Sequence, residues 1–437
     1  MSKKILVLAL AFVVGITVAA FAEVQNVKVG GDITTVWVDR STLDFKGGGA
    51  ADLKDFASIA RVKIEANLTD NVDAVVSLLN ERIWSSTQEN ASGGTVTSDT
   101  SVAIDQAYVT LKDFLKDTTN VPLTLKVGRQ NIRLGSGLLL GDPDTNQGVS
   151  TSSGLNIGGA RDLSARKAFD GVVGVFDYNP LTVTAGAVVG SIGTSAANSN
   201  DDTMVYVINA AYDTGVKNTV GELTYLLSRN RSNTTTGLKS NVANYGVRVT
   251  SSPVENLGLE GEFVFQSAEK VKNNSNKKAS DDAIRLCANY AFADVAWKPA
   301  LGLDYTRLSG QWNPMFEDMT PAELANLIFP NSNVQAIGAS LAAKPKDDVT
   351  LKLRYANFKS ADRYTNGQTW TSTGTGATYT MTDNKDLGDE VDLGVVYDYT
   401  EDVQLGLTYG MFMPGDAFAK SNEETATSVI GSMRVAF

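Results

Sequence analysis

Two pairs of carboxylates are the residues whose spacing first suggests a chemical role. Glu260 and Glu262 stand two positions apart, as do Glu390 and Asp392, so each pair shares one face of an extended strand. Paired acids can act as general acid and base in hydrolysis. The chain of 437 residues contains no histidine, which excludes serine hydrolase triads, Cys-His dyads and His-ligated metal sites. We therefore interpret these acids as wall charges balanced by nearby Lys and Arg, and expect no catalytic residue, cofactor or metal site.

A regular alternation of apolar and polar residues indicates which elements hold these groups. In ARVKIEANL, residues 60–68, every even position is apolar and every odd position is charged or polar, which is typical of a strand with two different faces. The pattern recurs between turn residues along the chain. It predicts eighteen strands, near residues 27–40, 56–69, 72–84, 101–112, 121–131, 166–178, 181–191, 203–213, 218–230, 240–252, 257–269, 280–292, 295–310, 333–344, 348–360, 386–399, 402–412 and 424–437.

The connections between these strands alternate between short and long. TDNV, YNPL, DTGVKN, SPVENLG, KPKDDV and YTEDV are tight, whereas the segments near 41–55, 85–100, 132–165, 311–333 and 361–385 are long and mostly polar. This alternation is typical of a barrel with turns on one rim and excursions on the other. We predict an all-β fold, a transmembrane antiparallel up-and-down β-barrel of about 18 strands with short periplasmic turns and long extracellular loops. A soluble secreted all-β protein is the alternative.

The N-terminal segment predicts export. Residues 1–22 combine Lys3 and Lys4, an apolar stretch and the cleavage pattern Ala20-Phe21-Ala22, as in a secretory signal peptide. The expected domains are the signal peptide, 1–22, and an outer-membrane β-barrel, 23–437. After residue 22 no run of eighteen apolar residues remains, so helical membrane spans are excluded. A net charge of -11 argues against nucleic acid as a partner. The only cysteine, Cys287, has no partner for an intrachain disulfide.

Parity along the strands predicts which side chains face lipid and which line a wet lumen. A slip of one residue would turn Arg61 and Lys63 toward lipid, at about 2 to 4 kcal/mol each near the midplane. Rings of charge set the solute preference of a pore. The predicted lumen residues are Arg61, Lys63, Glu65, Lys126, Glu222, Arg248, Glu260, Glu262, Arg285, Asp304, Lys352, Arg354, Glu390, Asp392 and Arg434.

The C-terminal segment VIGSMRVAF places Val429, Met433, Val435 and Phe437 on one face. It resembles the C-terminal aromatic signature by which bacterial outer-membrane barrels are recognised for assembly. We therefore expect outer-membrane lipid and, through Phe437, the barrel assembly machinery to be partners.

Four stretches resemble the alginate export family of outer-membrane porins. They are LKVGRQNIRLG at 125–135, RKAFDGV at 166–172, LGDEVDLGVVYDY at 387–399 and LGLTYGMFMPGDAF at 405–418. The resemblance implies an eighteen-stranded monomeric barrel whose charged lumen conducts an anionic polyuronate outward. Its implied constriction candidates are Arg129, Gln130, Arg166, Asp170, Glu390 and Asp392. By parity, however, Arg129 shares a face with Leu125 and Val127, so either the strand bulges there or Arg129 lies at the rim.

The loop QWNPMFEDMTPAELANLIFP predicts a short helix with Thr320 as N-cap, Pro321 in its first position and Glu323 in its third. Its apolar residues need burial, either in the barrel mouth as a gate or on the rim as a cover.

Together these features predict an outer-membrane porin for passive transport or export of a hydrophilic solute, most simply an anionic polysaccharide or related carbohydrate. Two alternatives remain open: a general diffusion porin of weak selectivity, and a structural or adhesive barrel plugged by its 132–165 loop. A conductance measurement separates them.

Overall fold

The computed structural model of the chain describes residues 26–48, 52–84, 88–89, 95–96, 102–145, 155, 158–191, 203–230, 240–272 and 275–437. The predicted signal peptide, 1–22, lies outside these residues. No helix in the described ranges is long and apolar enough to cross a membrane.

Most of the described residues lie in strands. In chain order these are β1 Asn26–Ser41, β2 Leu53–Thr69, β3 Val72–Ile83, β4 Gln88–Glu89, β5 Thr95–Val96, β6 Ala103–Leu111, β7 Leu123–Asn131, β8 Ala168–Asp177, β9 Leu181–Ser191, β10 Thr203–Asp213, β11 Thr219–Asn230, β12 Ser240–Ser251, β13 Leu257–Lys272, β14 Ser275–Ala291, β15 Ala300–Leu308, β16 Val334–Lys346, β17 Val349–Lys359, β18 Thr369–Thr371, β19 Thr378–Thr380, β20 Asp386–Asp398, β21 Val403–Pro414 and β22 Ala426–Ala436. Two short helices, α1 Lys116–Thr119 and α2 Glu323–Ile328, and a 3-10 turn, Arg161–Leu163, lie between strands.

Eighteen of the strands form one closed antiparallel sheet. Each pairs with its neighbours along the chain, and β1 pairs with β22 from Asp32↔Ala436 to Ser41↔Thr427, which closes the barrel. The remaining four strands form two small hairpins, β4–β5 and β18–β19, inside long connections. The predicted fold class is confirmed, and each of the eighteen predicted strands corresponds to one strand of the sheet.

The period-two pattern sorts side chains between the two faces of this sheet. On β2, Val62 and Ile64 are exposed, whereas Ala57 and Ile59, at odd positions, are buried inside. On β20, Leu393 and Val395 are exposed in the same way. An exposed apolar belt around a barrel is the surface that meets acyl chains, so the other face encloses the lumen.

The connections define two different rims. Short turns such as 70–71, 178–180 and 347–348 form the short-turn rim, and the segments 132–167, 309–333 and 360–385 leave from the opposite, long-loop rim. One expected loop is absent from this pattern. The predicted strand bounds leave a loop at 270–279 between the two strands. In the structure, β13 and β14 instead continue their pairing to Lys272↔Ser275 and form one long hairpin.

Described parts of the loops 132–167 and 309–333 turn into the barrel. Leu138, Leu140, Phe316, Leu324 and Leu327 are buried in one cluster with side chains on the inner wall. Their apolar side chains escape water there, which is the driving force for the inward turn.

Candidate lumen site

A ladder of alternating charges crosses the inner wall from β11 to β14. Arg248 on β12 pairs with Glu222 on β11 and, at 2.8 Å, with Glu260 on β13. Glu260 in turn pairs with Arg285 on β14. Each charge has an opposite neighbour on the next strand, so the ladder braces the wall and also presents arginines to the lumen.

A second pair continues the charged wall on β15 and β17. Arg354 binds Asp304 through two nitrogens, at 2.8 and 3.0 Å, and its Nε donates to the carbonyl of Pro321 at 2.7 Å. The pair reaches across β16 at Gly338, where a Cβ would lie 2.6 Å from Oδ1 of Asp304. A glycine here therefore leaves the space that the ion pair occupies.

Part of this charged wall, namely Glu260, Arg285, Asp304 and Arg354, lines a polar cavity of about 740 Å³ between the inner wall and the inward loops. Its charged lining consists of three arginines and three carboxylates: Arg133, Glu260, Arg285, Asp304, Asp318 and Arg354. Hydroxyl and amide groups complete it, among them Thr250, Ser251, Ser252, Asn289, Thr306 and Ser340. The formal charge of the lining is balanced, and the surface is rich in hydrogen-bonding groups.

Near the long-loop end of β1, Arg40 joins the wall to two loops. Its side chain is fully buried and binds both carboxylate oxygens of Asp162, at 2.7 and 2.8 Å. It also binds Glu323 of α2 at 2.7 Å and Ser428 on β22 at 3.2 Å. Burial raises the pKa of the Glu323 carboxyl, and Arg40 opposes that rise.

Wall carboxylates hold the N-terminus of helix α2. The backbone N–H groups of Leu324 and Ala325 donate to Glu390 at 2.5 and 2.8 Å, and that of Glu323 donates to Asp392 at 3.2 Å. The helix therefore begins at Glu323 with Ala322 as N-cap, not with Thr320 as predicted. The sequence signal was wrong because acceptors from β20 replace a local capping side chain. The contacts place α2 inside the barrel.

The two inward loops are also joined to each other. Lys167 binds Asp142 at 2.6 Å and Asp318 at 3.0 Å, and Arg133 also pairs with Asp318. Burial raises the pKa of Asp142 to about 7, against the lowering effect of Lys167. Neighbouring backbone groups of both loops pair as well: the N–H of Gly141 donates to Phe316 at 2.8 Å.

Four predicted lumen residues on β2 and β7, namely Arg61, Lys63, Glu65 and Lys126, lie inside the barrel. Arg61 approaches Asp105 at 3.3 Å and Asp32 at 3.7 Å. Lys63 and Glu65 pair at 2.5 Å. Lys126 lies 4.7 Å from the centre of the Tyr108 ring.

The remaining predicted residues have different surroundings. Lys352 is exposed and lines a second cavity beside Arg354 and Asp392. Glu262 accepts a hydrogen bond from Ser136 of the inward loop. Arg166 lies just before β8 and binds the buried carboxylate of Glu81 at 3.1 Å.

Gln130 is buried, and its side-chain amide reaches backbone carbonyls of β7 and β8, the nearest of them Lys126 O at 3.3 Å.

The predicted position of Arg129 and Asp170, on the same two strands, needs a correction. Arg129 pairs with Asp170 at 2.9 Å, and both share parity with the exposed Val127 and Val172. They therefore lie on the outer face near the long-loop rim and not at a lumen constriction.

The sequence interpretation missed Arg40 and Asp162. Arg40 shares its face with Val36 and Val38, which are buried under the inward loops, whereas the exposed Ile33 has the opposite parity. Because β1 is apolar on both faces here, parity alone did not identify its inner side. Asp162 lies in a loop, where strand parity gives no signal.

Among the described residues, no group of three or more His, Cys, Asp or Glu side chains has a geometry that could hold a metal ion.

This chain resembles known proteins in sequence and in fold. The family model described as alginate export matches residues 26–432. No curated protein sequence matches the chain. Among solved structures, Pseudomonas aeruginosa OccK9 (OpdG) has a TM-score of 0.58 at 14% identity, over 95% of this chain and 100% of that one. P. aeruginosa OccK5 (OpdH) has a TM-score of 0.56 at 13% identity, over 96% and 100%.

A third solved barrel, P. aeruginosa OpdK with vanillate, has a TM-score of 0.55 at 11% identity, over 95% of this chain and 100% of that one. At these identities the three structures support the fold alone. The matched family is one of export proteins, and the fold is the closed barrel of these solved structures. The chain belongs to the alginate export family and is a barrel of the bacterial outer membrane.

Proposed function

We propose that this protein is an outer-membrane channel for short carbohydrates that carry carboxylates, such as uronic acid oligomers. The observation that carries the proposal is the polar cavity of about 740 Å³ inside the closed sheet. Its size is that of a small-molecule site, within roughly 300 to 1,000 Å³. A short oligomer fits such a volume better than a long polymer does.

The chemistry of the lining supports a carbohydrate. Ser and Thr hydroxyls and Asn amides both donate and accept hydrogen bonds, as sugar hydroxyls require. Arg285 and Arg354 each hold a wall carboxylate, Glu260 or Asp304. A carboxylate of the solute can replace the wall carboxylate on the same arginine. Because the wall competes for each arginine, binding is weak, which suits passage better than storage.

Single-channel current in a planar bilayer tests this proposal. We expect the current to be blocked by uronic acid di- and trimers at lower concentrations than by neutral glucans of the same length. Arg285→Gln removes a charged donor, so the blocking concentration should rise about tenfold. The matched control is Arg307→Gln, whose partner Asp282 lies on the outer face with the exposed Phe265, and it should leave the block unchanged.

Two outcomes would contradict the proposal. Equal block by the neutral glucan would indicate a general diffusion porin. Stable insertion without current would favour a plugged structural barrel.

The second of these alternatives has an observation in its favour. Residues from three long loops, including Leu138, Trp312, Leu327 and Tyr379, are buried together inside the mouth. A permanently filled mouth suits a structural or adhesive barrel, and the absence of current at every voltage would favour that function instead.

We also propose that the barrel is a monomer, that residues 1–22 direct its export, and that Phe437 is recognised by the barrel assembly machinery. The Phe437 side chain is 63% exposed, so a partner can reach it. Phe437→Ala is expected to reduce the amount of folded barrel in the membrane.

A further inference from the structure

We propose that Arg40, Asp162 and Glu323, named here the Arg40 latch, form a gate that closes the cavity toward the long-loop rim and leaves it open toward the short-turn rim. The inference rests on the proposed channel function, whose gate it describes.

The latch joins three elements that are far apart in the chain. Arg40 belongs to the wall, Asp162 to the loop 132–167 and Glu323 to α2 in the loop 309–333. The exposed fractions of their side chains are 0%, 7% and 21%. Water does not screen these pairs as it does on a surface, so losing the central cation leaves two carboxylates without compensation.

Neighbouring carboxylates make the loss of the Arg40 cation more unfavourable. Glu390 and Asp392 lie against α2 and bring two further carboxylates near Glu323. Gly410 leaves room for this arrangement, since a Cβ there would lie 3.1 Å from both Asp392 Oδ1 and Glu323 Cγ. Among the described ion pairs, Arg40 is the only cation bound to Asp162 or Glu323. Without it, repulsion between acids favours movement of α2 away from the wall.

Described parts of the two loops are held together by direct contacts, so a displacement of one is expected to displace the other. Besides the Lys167 bridges, Asp318 N–H donates to Gly137 at 2.8 Å and Phe316 N–H donates to Leu139 at 3.3 Å. Breaking the ion pairs of Arg40 is therefore expected to move both loops away from the barrel mouth.

Among the described residues, those that line the cavity extend to turns of the short-turn rim and end, on the other side, at the inward loops. Its lining includes Asn218 and Ser252, which lie in turns of the short-turn rim. At the other end it is bounded by Ser136 and Thr320 of the inward loops. Beyond these lie the fully buried Leu324 and Leu327. A solute thus enters the cavity from the short-turn rim and leaves through the long-loop rim only after the latch opens.

The single cysteine of the chain provides the test, because Cys287 lines the cavity. The protein is inserted in a planar bilayer, and a sulfonated methanethiosulfonate is added to one chamber at a time. With the native protein, the reagent should modify Cys287 much faster from the short-turn chamber than from the long-loop chamber, as read from the change in current. With Arg40→Met, the rate from the long-loop chamber should rise about a hundredfold.

Variants and controls keep this test decisive. Asp162→Asn and Glu323→Gln each remove one arm of the latch and should give intermediate rates. Arg129→Met removes an arginine from an ion pair on the outer face and should behave as the native protein. Cys287→Ser should abolish every effect of the reagent. Circular dichroism confirms that each variant forms a barrel.

Hydrogen exchange separates the latch from the channel function. Faster exchange of the Leu324 and Ala325 amides in Arg40→Met would support the latch even if no uronic acid oligomer blocked the current. Equal access to native Cys287 from both chambers, or unchanged exchange and access in all three latch variants, would overturn the proposal.

Discussion

Asp142 is a carboxyl group that titrates near neutral pH within the closed mouth. It is 3% exposed, and it contacts Lys167, whose other partner is Asp318. The backbone N–H of Asp144 donates to it at 2.9 Å, and the Asp144 charge raises its pKa. Burial is the largest effect and brings the pKa to about 7. The inward loop therefore takes up a proton in a pH range where free aspartate is already ionised.

The sign of this shift predicts a pH-dependent closure. A pKa above the ordinary aspartate value means that the docked loop binds the proton more tightly than the released loop does. Its contribution to stability is full below about pH 4 and is lost as pH rises through about 7. The channel should be more closed at pH 5 than at pH 8, as measured by open probability. Asp142→Asn should largely remove this difference; a difference of the same size in that variant would refute the assignment.

Single residues differ in how well the sequence predicts them. Arg61, Lys63 and Arg354 lie on the inner side of the barrel, as strand parity predicts, because apolar neighbours of opposite parity mark the outer face. Arg40 was missed because apolar residues lie on both sides of β1. Arg129 and Asp170 were taken from a family motif, and a motif gives no information on which face a side chain occupies.

Among the elements, helix α2 depends on the wall for its stability. Its six residues are too few for a stable isolated helix, and the described cap has no side-chain hydrogen bond of its own. Glu390 supplies acceptors for two of its N–H groups. A helix so short is therefore positioned by strand β20.

This dependence predicts the effect of Glu390→Gln. The glutamine amide offers one acceptor oxygen and turns its NH2 toward an N–H donor, so the helix should lose roughly 1 to 3 kcal/mol of local stability. Hydrogen exchange of residues 323–328 should then become faster by tenfold or more. Glu65→Gln is the control, since Glu65 pairs with Lys63 away from the helix. Unchanged exchange in Glu390→Gln would mean that the helix is held by its apolar contacts alone.

Elements were predicted well where their periodicity is long and poorly where tertiary contacts decide. Strands of nine or more residues repeat the two-residue period often enough to be recognised. The boundary of α2 was wrong because its cap comes from a strand about seventy residues later in the chain. The continuation of β13 and β14 was missed because polar residues in a hairpin resemble a loop.

At the scale of the whole molecule, the barrel separates lipid from water at each strand. On β21, Leu407 is exposed on the outer face, whereas Thr408 faces inward and lines a cavity with Lys352 and Glu323. Adjacent residues of one strand thus meet different solvents.

This separation predicts different costs for the same substitution. Leu407→Lys should lower the free energy of unfolding of the barrel in lipid by about 2 to 4 kcal/mol, because the ammonium group meets acyl chains. Thr408→Lys should cost less, since its charge reaches the lumen. Urea titration of the refolded barrel in liposomes measures both values. Similar losses for the two variants would show that the outer face does not contact lipid at this position.

The fold as a whole was predictable because connection lengths and strand parity are both local properties of the sequence. The inward turn of the loops was not predictable in the same way, since it depends on contacts such as Arg40 with Asp162 between distant segments. The sequence left a gate and a cover as equal alternatives, and the buried contacts of α2 with the inner wall place the helix in the mouth.

The seam between β1 and β22 has a consequence for how the chain folds. Every other pairing in the barrel joins strands that are consecutive along the chain or separated only by one of the small hairpins β4–β5 and β18–β19, so those pairs can form without bringing the two ends of the sheet together. The seam alone joins opposite ends of the sheet. The entropic cost of closing the seam grows only with the logarithm of the chain length between β1 and β22. Pairing of these two strands is nevertheless unfavourable until most of the other strand pairs have formed. The slow step of folding is therefore expected to be the meeting of two exposed strand edges, and the open sheet before it is the species at risk of aggregation.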